Sequence, residues 1–235
     1  MTALAGTTFF DTQAERWVGL YDSRPAFRQR LDLFTQSLRR CVPAPGPVLD
    51  FGCGPGVLSF AIASSGYQVT GMDGAPNMIE MARRESVRRG IANASFDVMD
   101  ANAFALPKAS FAGVVCSSVI EYVPDDARLL TDLVSVVRPG GHLLISVPHS
   151  ASLFGFAEDC LARVRRYRNI TGRRHLAFSL RRYSRTGFAQ SLEAAGVRPV
   201  AFHYYEAPIP GQVGLTLSRF APIGVMLLVV GQKVA

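Results

Sequence analysis

The 235-residue chain is short of cysteine, of long apolar runs and of acidic residues, and each shortage excludes something. Its four cysteines, Cys41, Cys53, Cys116 and Cys160, form no C-x-x-C pair and no regular framework, so neither zinc nor disulfides are expected. A reducing, cytoplasmic setting is the corresponding expectation. The most apolar run, Phe220–Val230, is eleven residues long and is broken by Pro222 and Gly224. Crossing a bilayer takes about 20 residues, so this run reads instead as a C-terminal strand. Residues 1–20 hold Asp11, Glu15 and Arg16 and lack a basic start followed by an apolar stretch, so no signal peptide is expected. No internal repeat or low-complexity tract is present.

The shortage of acid is local. Net charge is +7, and residues 151–185 hold Arg163, Arg165, Arg166, Arg168, Arg173, Arg174, Arg181, Arg182 and Arg185 against only Glu158 and Asp159. The remaining 200 residues are balanced, with 16 basic and 16 acidic side chains, so the basic character belongs to one segment. A uniformly nucleic-acid-binding surface is not implied, and no specific nucleic-acid partner is expected. What is plentiful is apolar content, 49% against 18% charged, which suits one globular α/β domain with a small insertion.

The chain is organised around residues 48–56, VLDFGCGPG. Val48, Leu49 and Phe51 read as a buried strand, and three glycines follow at Gly52, Gly54 and Gly56. Glycine suits a tight turn and lets backbone approach a ligand closely. Val57, Leu58, Phe60, Ala61 and Ile62 then carry helical spacing, so strand, turn and helix form a ligand-binding corner at the carboxyl end of a strand. Asp73 lies seventeen residues past Gly56, at the end of a second apolar stretch (67–72), where an acid can accept from ribose hydroxyls. A dinucleotide turn has G-x-G-x-x-G, which from Gly52 requires glycine at the position of Val57. The pattern is G-x-G-x-G, preceded by Asp50, and it disfavours a nicotinamide oxidoreductase.

The rest alternates. Helices are predicted over 11–41 (one or two), 56–65, 76–89, 125–138 and 185–195, and strands at 94–99, 111–116, 142–147, 197–205 and 224–232. Pro139-Gly140-Gly141 reads as a turn before the strand at 142. Alternation of this kind implies a parallel sheet with helices on both faces. It breaks after Pro148 for about 35 residues.

In collinear order VLDFGCGPG, VTGMDGAPNMIEMAR, DVMDANAF, VVCSSVIEYVPD and VRPGGHLLISVP resemble the motifs of class I S-adenosylmethionine-dependent methyltransferases over roughly 45–235. The ubiquinone-pathway O-methyltransferases and their small-molecule relatives are the most similar branch. The resemblance implies a Rossmann-like three-layer sandwich whose seven-stranded, mostly parallel sheet is closed by an antiparallel strand pair. It also implies a helical cap over 1–44, a catalytic domain over 45–235 and an insertion at 150–185. S-adenosylmethionine is the implied cofactor. By that resemblance Asp50 and the backbone of Gly52, Cys53 and Gly54 hold its amino-acid end, Asp73 the ribose, and Met72 or Gly74 flank the adenosine. Asp100 and Ala101 meet the adenine, Phe104 bounds the ring, and Ser117 lines the site. Arg30 loosely matches a family arginine that meets the cofactor carboxylate, with Arg28 as rival. Competing readings are a turn cap for Asp100, an ordinary strand-end serine for Ser117 and a structural arginine for Arg30.

Quinone-type relatives carry two glutamates and a histidine, associated with a divalent metal, where this chain reads Ser118, Glu121 and Tyr122. One carboxylate is a poor cage for a hard cation, so no metal is expected and a catechol acceptor becomes doubtful. Methyl transfer needs mainly positioning, with a base for the nucleophile's proton. His149 is the first candidate for that base, ahead of Glu121 and Tyr122, and the alternative is a loop histidine without a role. The insertion carries Leu153, Phe154, Phe156, Ala157 and Leu161 before its arginines, and reads as a basic amphipathic helix. Such a helix can be a lid, a phosphate clamp, or a peripheral contact with anionic membrane through 151–175. The leading expectation is methyl transfer to a small-molecule acceptor at oxygen, on a lipophilic or quinone-like compound. The alternatives are an RNA or protein methyltransferase and a non-catalytic cofactor-binding regulator. Oligomeric state stays open.

Overall fold

A computed structural model describes residues 5–13, 25–99, 104–162, 178–207 and 211–234. Helix α1 (Ala5–Asp11) and helix α2 (Pro25–Cys41) precede β1 (Pro47–Phe51), α3 (Val57–Ala63), β2 (Gln68–Asp73), α4 (Pro76–Arg89), β3 (Ala94–Val98) and β4 (Phe111–Ser117). A single 3-10 turn (Ile120–Tyr122) leads to α5 (Asp126–Val136), β5 (Val137–Pro148), α6 (Leu153–Ala162), α7 (Arg185–Ala194), β6 (Val197–Tyr205), α8 (Gly211–Leu217) and β7 (Met226–Lys233).

The strands pair in the order β3-β2-β1-β4-β5-β7-β6. Strands β1 to β5 are parallel, and β7 runs antiparallel between β5 and β6, which is the expected closing arrangement. The central strands are apolar on both faces because helices cover both. Leu49, Phe51, Val114, Leu143 and Ile145 join the core beneath α5 and α7, and Val48, Val115 and Leu144 join the one beneath α2 and α3. Helix α4 starts on Pro76 and ends on Gly90 in the left-handed region (φ 65°), the two signals that delimit it in the sequence.

Some expectations shift. Residues 25–41 are one helix, and its Phe34 and Leu38 are fully buried against Val48, Val115 and Leu144. That helix packs directly on the sheet, on the face that α3 also covers. Helix α1 begins at Ala5, ahead of the helical region expected from residue 11, while Trp17, Leu20 and Tyr21 lie outside the described residues. Pro139-Gly140-Gly141 sits within β5 and not ahead of it. Val137 already pairs with Phe111, and pairing resumes at His142 with Gly113, so the three residues form a bulge. Helix α8 falls where no element was expected.

The insertion is a closed excursion. Tyr183 N donates to Pro148 O (2.9 Å) and Ser150 N to Tyr183 O (3.0 Å), so the chain leaves and rejoins at the carboxyl end of β5. Asp126 holds the returning strand by pairing with Arg181 and accepting from the Tyr183 hydroxyl at 2.8 Å. Its described helix, α6, contains no arginine. The six arginines from Arg163 to Arg174 lie outside the described residues, so the basic part of the expected amphipathic helix does too.

Candidate active site

The glycine turn is built by β1 and β2 together. Gly52 N and Cys53 N both donate to Met72 O, at 2.7 and 3.0 Å, which folds the turn back onto β2. Gly52 (φ +74°) and Gly54 (φ +54°) occupy the left-handed region that side chains disfavour. Their surroundings differ. A Cβ on Gly52 would collide with Val119, whereas one on Gly54 would meet nothing within 4 Å. Gly54 thus exposes bare backbone to open space at the carboxyl edge of the sheet.

Asp73 ties the two halves of this corner. Its Oδ2 accepts from Gly54 N (2.8 Å) and its Oδ1 from Ala75 N (2.9 Å). A carboxylate has about four acceptor sites, so both oxygens keep capacity for a ligand's hydroxyls. Burial raises the Asp73 pKa, and the two backbone donors oppose that shift. Asp50 is 1% exposed and lies beneath the turn, accepting from Ser59 Oγ on α3 at 2.5 Å. Its pKa is raised to about 7, first by burial, with Asp73 adding repulsion. Asp50 therefore clamps turn to helix from below.

The other cofactor candidates sort by backbone and side chain. Met72 sends its side chain into the core and contributes its carbonyl to the turn. Cys53 packs its sulfur with Phe60, Ile79 and Phe96, so only its backbone is offered to a ligand. Gly74 is covered by α1, and a Cβ there would lie 3.4 Å from Thr7 Cγ2. Phe104 packs against Phe51 with ring centroids 5.6 Å apart. Ser117 presents a buried hydroxyl without a partner. Asp100 and Ala101 lie outside the described residues. Arg30 pairs with Glu206 at 2.5 Å and stands over the rings of Phe27 and Tyr205. The carboxylate it meets here is the chain's own.

The three base candidates separate. Strand alternation sends Ile145 and Val147 to one core and Leu144 to the other, with Ser146 on the second face. His149 continues the first set, 2% exposed, with its ring 4.8 Å from that of Tyr204. Ser117 and Asp50 fall on the opposite face, so β5 turns the imidazole away from them. Burial lowers the His149 pKa, and its Nδ1 has no partner. Tyr122 packs edge-on to Phe10 at 5.2 Å, and burial raises its pKa far above that of an ordinary phenol. Glu121 is 2% exposed with Oε2 unpartnered, and burial raises its pKa to about 8.

Several contributors had no local signal. Phe9 packs tilted against Phe178 (5.0 Å) and edge-on against Phe10 (5.4 Å), so α1 and the returning end of the insertion meet as an aromatic roof beside Tyr122. Asp11 anchors that roof, accepting from Asn77 N (2.7 Å) and Nδ2 (2.9 Å) at the start of α4. Among the described residues no group of three potential metal ligands occurs, and no helix is long and apolar enough to cross a membrane.

A family model for a methyltransferase domain matches residues 25–201. The chain belongs to that family, as a class I S-adenosylmethionine-dependent methyltransferase. The open face of Gly54, the spare acceptor capacity of Asp73 and the roof over Gly74 fit its cofactor. The ubiquinone biosynthesis O-methyltransferase of Xanthomonas axonopodis pv. citri is 38% identical over 108 residues, 46% of this chain and 45% of that protein. The aklanonic acid methyltransferase of Streptomyces sp. strain C5 is 37% identical over 129 residues, 52% of this chain and 59% of that protein. Each alignment thus spans about half the relative's length. Among solved structures, the magnesium protoporphyrin IX methyltransferase of Synechocystis PCC 6803 superposes with TM-score 0.71 at 17% identity, over 97% of both chains. The cyclase SpnF superposes with TM-score 0.73 at 16% identity, over all of this chain and 97% of that one. A cyclase on the same fold means that fold alone does not fix the reaction.

Proposed function

We propose that the protein transfers the methyl group of S-adenosylmethionine to oxygen of a small, lipophilic, quinone-like acceptor. The observation that carries the cofactor half is the pairing of Gly54, open above its backbone, with Asp73 holding its N–H at 2.8 Å. The acceptor half is supported by the ubiquinone-pathway relative and by the aromatic roof of Phe9, Phe10, Tyr122 and Phe178.

In this reading the backbone of Gly52–Gly54 holds the methionine part of the cofactor and Asp73 accepts from its ribose hydroxyls. The cofactor supplies an already electrophilic methyl on a sulfonium. The acceptor oxygen bonds to that carbon as the carbon–sulfur bond breaks, the electron pair stays on sulfur, and the hydroxyl proton is released. The chain's main contribution is alignment and exclusion of water, a role the aromatic roof supports. Methyl transfer from labelled cofactor to a panel of hydroxylated ring compounds, with product masses 14 Da heavier, tests the reading.

A second proposal concerns location. Leu153, Phe156 and Leu161 of α6 are 72%, 69% and 47% exposed, and Phe220 is 58% exposed on the turn whose Pro222 O accepts from Leu153 N. Apolar side chains in this setting, followed in sequence by Arg163, Arg165, Arg166 and Arg168, suit peripheral contact with an anionic lipid surface. A lipophilic acceptor would be met there.

A further inference from the structure

We propose that Glu121 selects the acceptor, its unpartnered Oε2 donating a hydrogen bond to an oxygen of an uncharged, hydroxylated ring. This rests on the methyltransferase reading above and replaces the role of proton-accepting base for the same residue.

Three buried polar atoms at this edge of the sheet lack partners: Ser117 Oγ, Ser118 Oγ and Glu121 Oε2. Buried polar groups are nearly always hydrogen-bonded, so several orphans in one region call for an explanation. A ligand that completes them supplies one. Their elements converge. Ser117 ends β4 and Ser118 follows it, Ser118 N donates to Ser146 Oγ at 3.1 Å, and Tyr205, which ends β6, lies beside Ser146 and within the electrostatic reach of Glu121. The Glu121 turn is fixed from the insertion side, because its carbonyl accepts from Leu180 N at 2.9 Å.

Backbone strain falls in the same place. Ser118 (φ +57°) and Glu206 (φ +56°) are left-handed without being glycine. Such residues persist where the surroundings impose them, and they cluster at functional sites.

The charge arrangement argues for a neutral ligand. Glu121 is faced by Arg30 from α2, Arg182 from the returning strand and Glu206 after β6, with Cys116 and Tyr205 nearby. Arg30 is already matched by Glu206. An ionised carboxylate 2% exposed is costly, and burial outweighs both arginines in setting its protonation, with a pKa of about 8. At neutral pH the group is an acid with a proton to donate.

The test uses the full-length protein, its Glu121→Gln and Glu121→Leu variants, and labelled S-adenosylmethionine. Two matched pairs serve as probes: methylhydroquinone with 2,5-dihydroxybenzoate, and 2-hydroxyacetophenone with salicylate. The wild type is expected to methylate the neutral member of a pair with kcat/KM at least about tenfold above its carboxylated partner. Glu121→Gln, which keeps a donor, should stay within about threefold of wild type, and Glu121→Leu should raise KM about tenfold with kcat little changed. The wild-type KM should climb as pH passes about 8, and Glu121→Gln should remove that dependence. Calorimetry with S-adenosylhomocysteine should give the same affinity for all three proteins. Preference for the carboxylated probes, no methylation of either neutral probe, or a Leu variant that loses kcat without raising KM overturns the inference while leaving the parent reading in place. Failure of the wild type to bind S-adenosylhomocysteine overturns the parent reading, and this inference with it.

Discussion

The Asp73 carboxylate accepts the N–H of Gly54 at 2.8 Å and that of Ala75 at 2.9 Å, so one side chain binds the glycine turn to the start of α4. Hydrogen bonds to a charged group contribute about 1.5–3 kcal/mol, which gives this acid a structural role besides the ligand-binding one proposed for it. Replacing Asp73 with Ala should lower unfolding stability by about 2 kcal/mol and weaken S-adenosylhomocysteine binding at least about tenfold. Urea unfolding and calorimetry on the same preparation measure both effects.

Gly52 makes a different prediction from its neighbour. A Cβ there meets Val119 and also faces an unfavourable φ of +74°. Gly52→Ala should cost about 2–4 kcal/mol through overpacking and strain, and adding Val119→Ala should recover part of it. A double-mutant cycle by thermal or urea unfolding reads the coupling. Purely additive losses would mean that Val119 is not the obstacle.

Two buried carboxyls set a pH dependence of stability. Glu121 rises from 4.5 to about 8 and Asp50 from 3.8 to about 7, burial being the largest cause in both. The folded chain then binds more protons than the unfolded chain between these limits. The contribution of each group is full below its unfolded value and is lost as pH climbs through its folded value. Unfolding free energy should therefore fall less steeply from pH 4 to pH 8 in Glu121→Gln, and likewise in Asp50→Asn, than in the wild type. A wild-type curve parallel to both variants would contradict the assignment.

The exposed face of α6 makes the lipid prediction. Replacing Leu153 and Phe156 with Ser should reduce co-sedimentation with phosphatidylglycerol vesicles without altering S-adenosylhomocysteine affinity. Deleting 151–175 should reduce it further. Equal sedimentation of wild type and deletion would remove membrane contact from the account.

Much of this was legible in the sequence, for identifiable reasons. The parallel sheet showed because buried strands alternate with helices from Pro47 to Pro148, with only the β3-to-β4 connection lacking a described helix. Asp50, the glycines and Asp73 showed because their spacing is fixed by one strand–turn–helix unit. The bulge at Pro139–Gly141 did not, since it exists only through the pairing of Val137 with Phe111. Helix α8, GQVGLTL, has two glycines and no apolar period, and tertiary packing imposes it. Ser59, Tyr205 and Glu206 carry no local motif. Ser59 matters through its bond to Asp50, and the other two because β6 returns beside β7 and brings a distant segment to Arg30 and Ser146. The orientation of His149 is set by parity, two residues beyond Val147 on the same face, and was readable from the strand alone.

The central claim is that the Gly52–Gly54 turn with Asp73 is a cofactor site. Titration calorimetry with S-adenosylhomocysteine on the wild type and on Gly54→Ala tests it most directly. A Cβ at Gly54 touches no protein atom within 4 Å, so its folding cost is limited to about 1–2 kcal/mol of left-handed strain. The account predicts a wild type that binds and a folded Gly54→Ala variant that binds at least about tenfold more weakly, because the methyl occupies the ligand's space. Equal affinity in the two proteins, or no binding by folded wild type, would contradict it.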